Sequence, residues 1–423
     1  MDVLSLLFTI LAAHAHVGAP VDAVDVHAVD HDGRALEASI GLFWTEDGED
    51  WRWVCHEAVT TDTAIITPRY AIAGRRWLVS VSRLEETRTL QDAVYWTDDG
   101  CTWTVSDGLT GREVPEVAID DVGTIALAVT DDEGTAANHI FRSTDGGQTF
   151  AAVLEVPDQQ LTSVVLGPNA LGTAMVGGLD TDGNGWLHWS TDHGETWDSH
   201  LVAVGEVVAM AVHPTNANVG FAVIDGVGVE TLLRTEDAGA SVEVVLDPDG
   251  AITDVEVEAS GGTWVSFSGS AYLYAEDGVE FGLVTNAPPG IGLGLQADNT
   301  MLATRFELVN DALAEGTRAD GFTPRFSFVA VDGPLECAEG THGADICGPL
   351  YPLLEQSLGL VEPVDTGGSE GSGDGGDGDV PSPDTASIDS DATDKSDSTC
   401  GCNKGAWVLL LPLGAFARRP RHD

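Results

Sequence analysis

Ser190-Thr191-Asp192-His193-Gly194-Glu195-Thr196-Trp197 decides how this chain is read, because it does not occur only once. Ser143-Thr144-Asp145-Gly146-Gly147-Gln148-Thr149-Phe150 repeats it, and weaker copies lie on both sides. Aligned on the central glycine, Gly48, Gly100, Gly147, Gly194, Gly239, Gly278 and Gly321 form a series. The spacing is roughly 40–50 residues, the period of a four-stranded propeller blade. Trp96-Thr97-Asp98-Asp99-Gly100-Cys101-Thr102-Trp103 is a good copy, read with Trp96 in the place of the first serine and Asp98 as the aspartate. Thr235-Glu236-Asp237-Ala238-Gly239-Ala240-Ser241-Val242 lacks only the aromatic. Around Gly48 and Gly278, Glu46 and Glu276 stand where the aspartate belongs. At Gly321 only Thr317, Gly321 and Thr323 survive, so the count is seven, with six as the alternative.

Each copy has the chemistry of a tight hairpin turn. Glycine adopts positive φ without a steric cost. The Asp and Ser/Thr side chains bond nearby backbone N–H groups, and the aromatic can pack between adjacent sheets. Between the copies, Val21 to Val29 and Ile252 to Glu258 alternate apolar and polar residues, as half-buried strands do. Turn clusters every 8–12 residues or so indicate many short strands. The expected fold is all-β: a seven-bladed propeller of four-stranded antiparallel blades over residues 16–334. A closed ring also protects strand edges that would otherwise pair with other chains.

The pattern S-x-D-x-G-x-T-W resembles the Asp-box, or BNR repeat, of sialidases, sortilin-type receptors and some glycoside hydrolases. The resemblance implies structural roles for Asp98, Gly100, Trp103, Ser143, Asp145, Gly147, Thr149, Ser190, Asp192, Gly194, Thr196, Trp197, Asp237 and Gly239. It also implies that these turns lie away from the ligand-binding face. Sialidase activity would need an early arginine in a Phe/Tyr-Arg-Ile-Pro motif, and Thr67-Pro68-Arg69-Tyr70 is not one. Of the five tyrosines, Tyr95 and Tyr274 adjoin turns and suit strand packing better than catalysis. Arg69, Arg75, Arg142, Arg234 and Arg305 could converge in principle, although Arg142 and Arg234 directly precede turns.

The two ends differ from the middle. The apolar run Val3 to Ala13, followed by Ala13-His14-Ala15, reads as a secretory signal over residues 1–15, although its n-region carries Asp2 and no basic residue. Residues 362–399 are Gly/Ser/Asp-rich and cannot bury a core, so they are expected to form a disordered, self-repelling spacer. Residues 400–423 hold Cys400-Gly401-Cys402, an apolar stretch and a basic end. That order resembles the C-terminal sorting tails of myxobacterial surface proteins, which implies that Cys400 or Cys402 anchors the chain at the outer envelope. The apolar stretch falls short of the roughly 20 residues that span a bilayer; an ordinary tail anchor is the competing reading.

With 423 residues, the chain is long enough for one large core. Its formal net charge is -51, with lysine only at positions 395 and 404. Such a field repels nucleic acid. It favours solubility in salt and the binding of cations or basic partners. Six cysteines are present. Cys337 and Cys347 are expected to bridge in an exported chain and to staple a cap over residues 335–361, with a short helix from Pro349 to Leu358; Cys55 and Cys101 are a candidate bridge between blades. No C-x-x-C pair suggests zinc.

Asp180-Thr181-Asp182-Gly183-Asn184-Gly185 is similar to the start of a calcium loop, with Asp180, Asp182 and Asn184 as candidate ligands. Position 12 holds Thr191 instead of glutamate, so a plain hairpin turn competes. No other cofactor is expected. His188, His193 and His200 read as surface residues that do not share a face. The expected function is an exported, surface-retained, monomeric binding or scaffolding module for a glycan or protein ligand. The alternative is a secreted glycoside hydrolase using two carboxylates in the propeller funnel. With so many acidic residues, sequence alone assigns no positions there.

Overall fold

The computed structural model describes residues 23–28, 33–59, 68–81, 93–131, 137–226, 229–248, 250–267, 271–307 and 311–360. The expected signal (1–15), spacer (362–399) and tail (400–423, with Cys400 and Cys402) lie outside the described residues.

Seven antiparallel sheets of four strands follow one another along the chain. Blade 1 holds β1 (Ala23–Ala28), β2 (Arg34–Ala38), β3 (Gly41–Thr45) and β4 (Arg52–Val54). Blade 2 holds β5 (Arg69–Ala73), β6 (Arg76–Val81), β7 (Ala93–Thr97) and β8 (Thr104–Val105). Blade 3 holds β9 (Glu116–Ile119), β10 (Ala126–Val129), β11 (Ala137–Ser143) and β12 (Ala151–Pro157). Blade 4 holds β13 (Gln159–Leu166), β14 (Ala174–Asp180), β15 (Asn184–Ser190) and β16 (Asp198–Val204). Blade 5 holds β17 (Glu206–Val212), β18 (Gly220–Gly226), β19 (Val229–Thr235) and β20 (Glu243–Leu246). Blade 6 holds β21 (Ile252–Val257), β22 (Thr263–Phe267), β23 (Ala271–Ala275) and β24 (Gly282–Leu283). Blade 7 holds β25 (Leu293–Leu295), β26 (Met301–Glu307), β27 (Asp311–Thr317) and β28 (Gly321–Phe326). The Gly321 copy therefore marks a true blade, and the count is seven.

Every glycine of the series lies in the hairpin between the third and fourth strands of its blade. In a meander of this kind the first-to-second and third-to-fourth turns share one end, so all seven glycine turns lie at one end of the propeller. Gly194 has φ +75°, and a Cβ there would lie 2.6 Å from Leu127. Both the backbone and the packing thus demand glycine.

Apolar residues fill the space between blades. Met175, Leu187, Trp189, Val207 and Ala209 join blades 4 and 5, while Phe221, Val223, Val255 and Val265 join blades 5 and 6. The turn aromatics pack between sheets as expected: Phe150 is buried, and Trp51 stacks on Phe326 with centroids 4.2 Å apart.

Among the described residues, no strand is shared between the first and last blades. The ring closes through side chains instead: Arg34 pairs with Glu315 at 3.1 Å, and Phe43 meets Phe326 and Phe328. The segment after β28 then crosses to the outer edge of blade 1. Trp53 N–H donates to Gly333 O, and Leu335 N–H donates to Trp53 O. Helix α1 (His342–Ser357) follows and packs on the turn at His56–Ala58. It starts earlier than the expected Pro349 because Thr341 Oγ1 caps it, accepting from Ala344 N–H.

This crossing corrects both expected disulfides. Cys55 bridges Cys347, and Cys101 bridges Cys337, with Cα–Cα distances of 5.4 and 5.5 Å. Cys337 and Cys347 do not pair with each other, and neither do Cys55 and Cys101. The edge-pairing of residues 333–335 along β4 carries Cys337 to the Gly100 turn of blade 2. The helix turns the buried Cys347 onto blade 1. The C-terminal segment is thus stapled to two blades and not closed on itself.

Candidate functional site

The first strand of each blade is innermost. β1 packs on β25, β25 on β21, β21 on β17, β17 on β13, β13 on β9 and β9 on β5. The polar face of such a strand has no bulk solvent to meet, only the central channel and the seams that open into it. Asp25 and His27 lie on β1, Arg69 opens β5, Glu116 opens β9, and Asp254 and Glu256 lie on β21. Glu37, on β2, is the cross-strand partner of Asp25. Asp25, Arg69, Glu116 and Asp254 share one level, three residues before the strand position that pairs through to the start of each glycine turn, and His27 and Glu256 lie two residues nearer that turn end.

The geometry is closest around blade 1. His27 Nε2 lies 2.9 Å from Glu37 Oε1, and Tyr70 N–H from blade 2 donates to the same Oε1 at 3.2 Å. One ligand atom each from Asp25, His27 and Glu37 lie within 4.8 Å of one another. Asp25 and Asp254 use the same local device. Each accepts the N–H of the following residue at 2.7 Å, beside a register shift in its strand. Such bulges re-aim a side chain. Asp254 also accepts Leu293 N–H at 2.7 Å, tying blade 6 to blade 7. Among the described residues, no hydrogen bond reaches the carboxylates of Glu116 or Glu256.

These groups perturb one another. Burial raises the Asp25 carboxyl to about 6, with His27 opposing and Glu37 adding to the rise. Burial raises Glu116 to about 7 against the pull of Arg69. Burial and the charge of Asp25 raise Asp254 to about 8. Glu256 is pushed well above the usual range by burial and by Asp254. Burial disfavours the charged form of His27, yet the hydrogen bond to Glu37 and the charges of Asp25, Glu37 and Asp254 outweigh it, and its pKa rises to about 9. Desolvation and like charge thus act together on the carboxyls. The channel holds acids that titrate across the neutral range, opposed by one imidazolium and one guanidinium. It can accept cations, and it can also supply a proton at neutral pH.

The turn residues are consumed by local bonding. Ser190 Oγ donates to Asp192 Oδ1 at 2.8 Å and accepts Gly194 N–H at 2.9 Å. Asp192 further accepts the N–H groups of Glu195 and Thr196 and the Thr196 hydroxyl. Ser143, Asp145, Gly147 and Thr149 repeat this arrangement, as do Asp237 and Gly239 with Thr235 and Ser241. Trp197 Nε1 donates to Gly194 O within its own turn.

The Gly100 turn differs from its sequence reading. Thr97, not Trp96, holds the serine place, and Asp99, not Asp98, accepts the N–H groups of Cys101 and Thr102. The turn is one residue shorter, since Gly100 N–H reaches back three residues where Gly194 N–H reaches back four. Asp98 pairs instead with Arg76 at 2.7 Å, and Trp103 packs near Trp77. The shorter turn recurs at Thr45, Asp47 and Gly48, and Asp277 accepts the corresponding N–H groups after Glu276, so Glu46 and Glu276 are not the turn acids.

The arginines do not converge. Arg75 pairs with Glu46, Arg142 donates to His193 O, and Arg234 pairs with Glu236 and Glu243; Arg69 acts on the channel. The Arg305 side chain lies outside the described residues. Asp180 ends β14 and accepts from the N–H groups of Asp182 and Asn184, from Asn184 Nδ2 and from Trp186 Nε1. Those bonds hold its carboxyl down at about 2. His188 is buried, not a surface residue: it bonds Ser199 and Gln159, and burial lowers it to about 4. On β15 it lies between β14 and β16, opposite Val176 and Ser199.

Sequence reasoning missed Asp25, His27, Glu37, Glu116, Asp254 and Glu256. A signal did exist: two alternating strands, 21–29 and 252–258, place acids on their polar face. Their position as first strand of a blade was the clue that this face looks into the channel.

No protein-family model matches the chain, and no curated protein matches it. Among solved structures, it is similar to prolyl oligopeptidase B from Galerina marginata, with a TM-score of 0.53 and 8% identity over 75% of this chain and 53% of that chain. It is similar to a Mycobacterium tuberculosis puromycin-hydrolyzing peptidase, with a TM-score of 0.53 and 10% identity over 77% and 56%. It also matches YCF48 bound to D1 peptide, with a TM-score of 0.42 and 15% identity over 63% and 81%. The chain spans about half the length of the two peptidases. The two peptidase likenesses are of fold alone.

Proposed function

We propose that this protein is an exported, surface-retained propeller of the Asp-box kind that binds a protein ligand without catalysis. Basic side chains of the ligand enter the channel. The observation that carries this reading is the set of carboxylates at Asp25, Glu37, Glu116, Asp254 and Glu256, opposed among the described residues by His27 and Arg69. A lysine or arginine from a partner relieves the repulsion that raises the carboxyls. The net charge of -51 supports attraction of basic partners over distance. Two disulfides support an oxidising compartment. A glycan platform is less favoured: among the described residues, the fully exposed large apolar side chains are Val and Leu, and the aromatics are buried or half-buried.

The test is fluorescence anisotropy of the full chain with a lysine-rich peptide and its acetylated counterpart. Binding of the first alone, weakened at least tenfold by Asp254→Asn or Glu256→Gln but not by Glu195→Gln in a turn, is the expected result. Equal binding of both peptides, or indifference to the channel variants, overturns the reading. Mass spectrometry of the mature surface protein checks retention, since an intact Asp423 rules out tail processing.

One observation favours a glycoside hydrolase as the second reading. Asp254 at about 8 and Glu116 at about 7 are carboxyls that carry a proton near neutrality, as a general acid must. Turnover of any polysaccharide that is lost in Asp254→Asn would replace the binding reading.

A further inference from the structure

We infer that Asp25, His27 and Glu37 form a binding site for a divalent first-row transition-metal ion, built into the seam between blades 1 and 2 where it meets the channel. Asp25 and His27 are two residues apart on β1, and Glu37 is the direct cross-strand partner of Asp25, so the three share one face of the blade. Val26 faces the other way: its backbone and side chain lie against Gly294 of blade 7. The triad face therefore looks toward blade 2, whose Tyr70 N–H reaches Glu37.

Two carboxylates directly opposite each other on paired strands destabilise a sheet unless a cation lies between them. The pair occurs on an inner strand, where water is least able to screen it. His27 sits beside it with a ring nitrogen 2.9 Å from Glu37. An ion bound at about 2.0–2.2 Å to nitrogen and oxygen holds its donors roughly 3–3.4 Å apart. His27 and Glu37, at 2.9 Å, are within about 0.5 Å of that spacing. The whole set lies within 4.8 Å, so a shift of at most about 1.5 Å closes it.

The ligands are also held from behind. Tyr70 N–H orients Glu37 and Val26 N–H orients Asp25, which is the second layer of bonding that metal ligands require. Nitrogen in the set selects a transition ion over calcium or magnesium. Binding replaces the proton shared between His27 and Glu37, and that proton is released to solvent. Asp254, Glu256 and Glu116 are not consumed, so the site is compatible with a basic ligand in the channel and does not depend on one.

Chelator-treated full chain titrated with Zn²⁺ by calorimetry, without peptide, tests this. Expected is one ion per chain, with affinity reduced at least tenfold by His27→Gln and by Glu37→Gln and unchanged by Asp180→Asn. The visible absorption of Co²⁺ bound in place of zinc is expected to change in His27→Gln, which reports nitrogen ligation directly. Circular dichroism confirms that each variant folds; His27→Gln keeps a hydrogen-bond donor toward Glu37 and stands if Glu37→Gln does not fold. Absence of Zn²⁺ binding, binding untouched by both triad variants, or binding lost with Asp180→Asn overturns the inference. Failure here leaves peptide binding by Asp254 and Glu256 intact, so the two proposals fall separately.

Discussion

Removing the Cys101–Cys337 bridge by Cys101→Ser with Cys337→Ser tests how this ring is closed. With Cys55–Cys347 intact, the lost bridge no longer closes its full separation of 236 residues. The relevant loop is the two stretches 55–101 and 337–347, joined by the remaining bridge, or about 56 residues. The chain-entropy relation then gives about 4 kcal/mol. Removing the second bridge as well releases a loop of separation 292, worth about 6 kcal/mol more. For the roughly 300 described residues the unfolding entropy is about 0.6 kcal/mol per degree, so the first loss lowers Tm by about 7 °C and the two together by about 16 °C. Differential scanning calorimetry of the oxidised proteins reads both steps. The second step is expected to be the larger, because the surviving bridge inherits the whole loop. A Tm unchanged within 1 °C on removing one bridge would refute the reasoning, as would recovery of a Cys337–Cys347 peptide from the unreduced protein. Among the described residues no strand is shared across the seam between blades 1 and 7, which is held by Arg34–Glu315, by the aromatic cluster at Phe43 and by the backbone bonds of residues 332–335 to Trp51 and Trp53.

Two further outcomes follow from the channel and the turns. Asp25 at about 6, Glu116 at about 7, Asp254 at about 8 and His27 at about 9 are all raised on folding, so the folded state binds more protons than the unfolded chain. Their stabilisation is complete below the unfolded values and is lost as pH climbs through the folded ones. The metal-free protein is therefore expected to lose Tm steadily from pH 5 to pH 9, less steeply in Asp254→Asn; a Tm that rises over that range contradicts the cluster. At the Gly100 turn, Asp99→Ala is expected to cost about 1–2 kcal/mol, because the Cys101 and Thr102 N–H groups lose their acceptor and Thr97 its partner. Asp98→Ala removes only an exposed pair, worth about 0–1 kcal/mol. Urea titration of both variants settles the turn register, and the reverse order would restore Asp98 as the turn acid.

Much of the fold was legible because its repeating unit is local. A Ser/Thr–Asp–Gly turn is made by side chains bonding N–H groups two to four residues away, so each blade leaves its mark in one short stretch. The register of the shorter turns was not legible, since aligning on glycine conceals a missing residue ahead of it. Thr97 and Asp99 were hidden in this way behind Trp96 and Asp98. His188 was misread for a related reason: its burial depends on β14 and β16 on either side and on Gln159 beyond them, which its own neighbours in sequence do not reveal.

The sequence by itself determined the all-β class, the blade period and the place of the glycine turns, because those depend on period and on bonds made within a few residues; six or seven blades was left to the structure. Only the tertiary structure decided which cysteines meet and which acids face one another. Cys55 and Cys347 are separated by 292 residues yet their Cα atoms lie 5.4 Å apart, because the segment after the last blade crosses back over the first. Asp25, Glu116 and Asp254 come from blades 1, 3 and 6 and share one field because a closed ring turns every first strand toward the same axis. Local hydrogen bonding sets the units, and closure of the ring sets what they bring together.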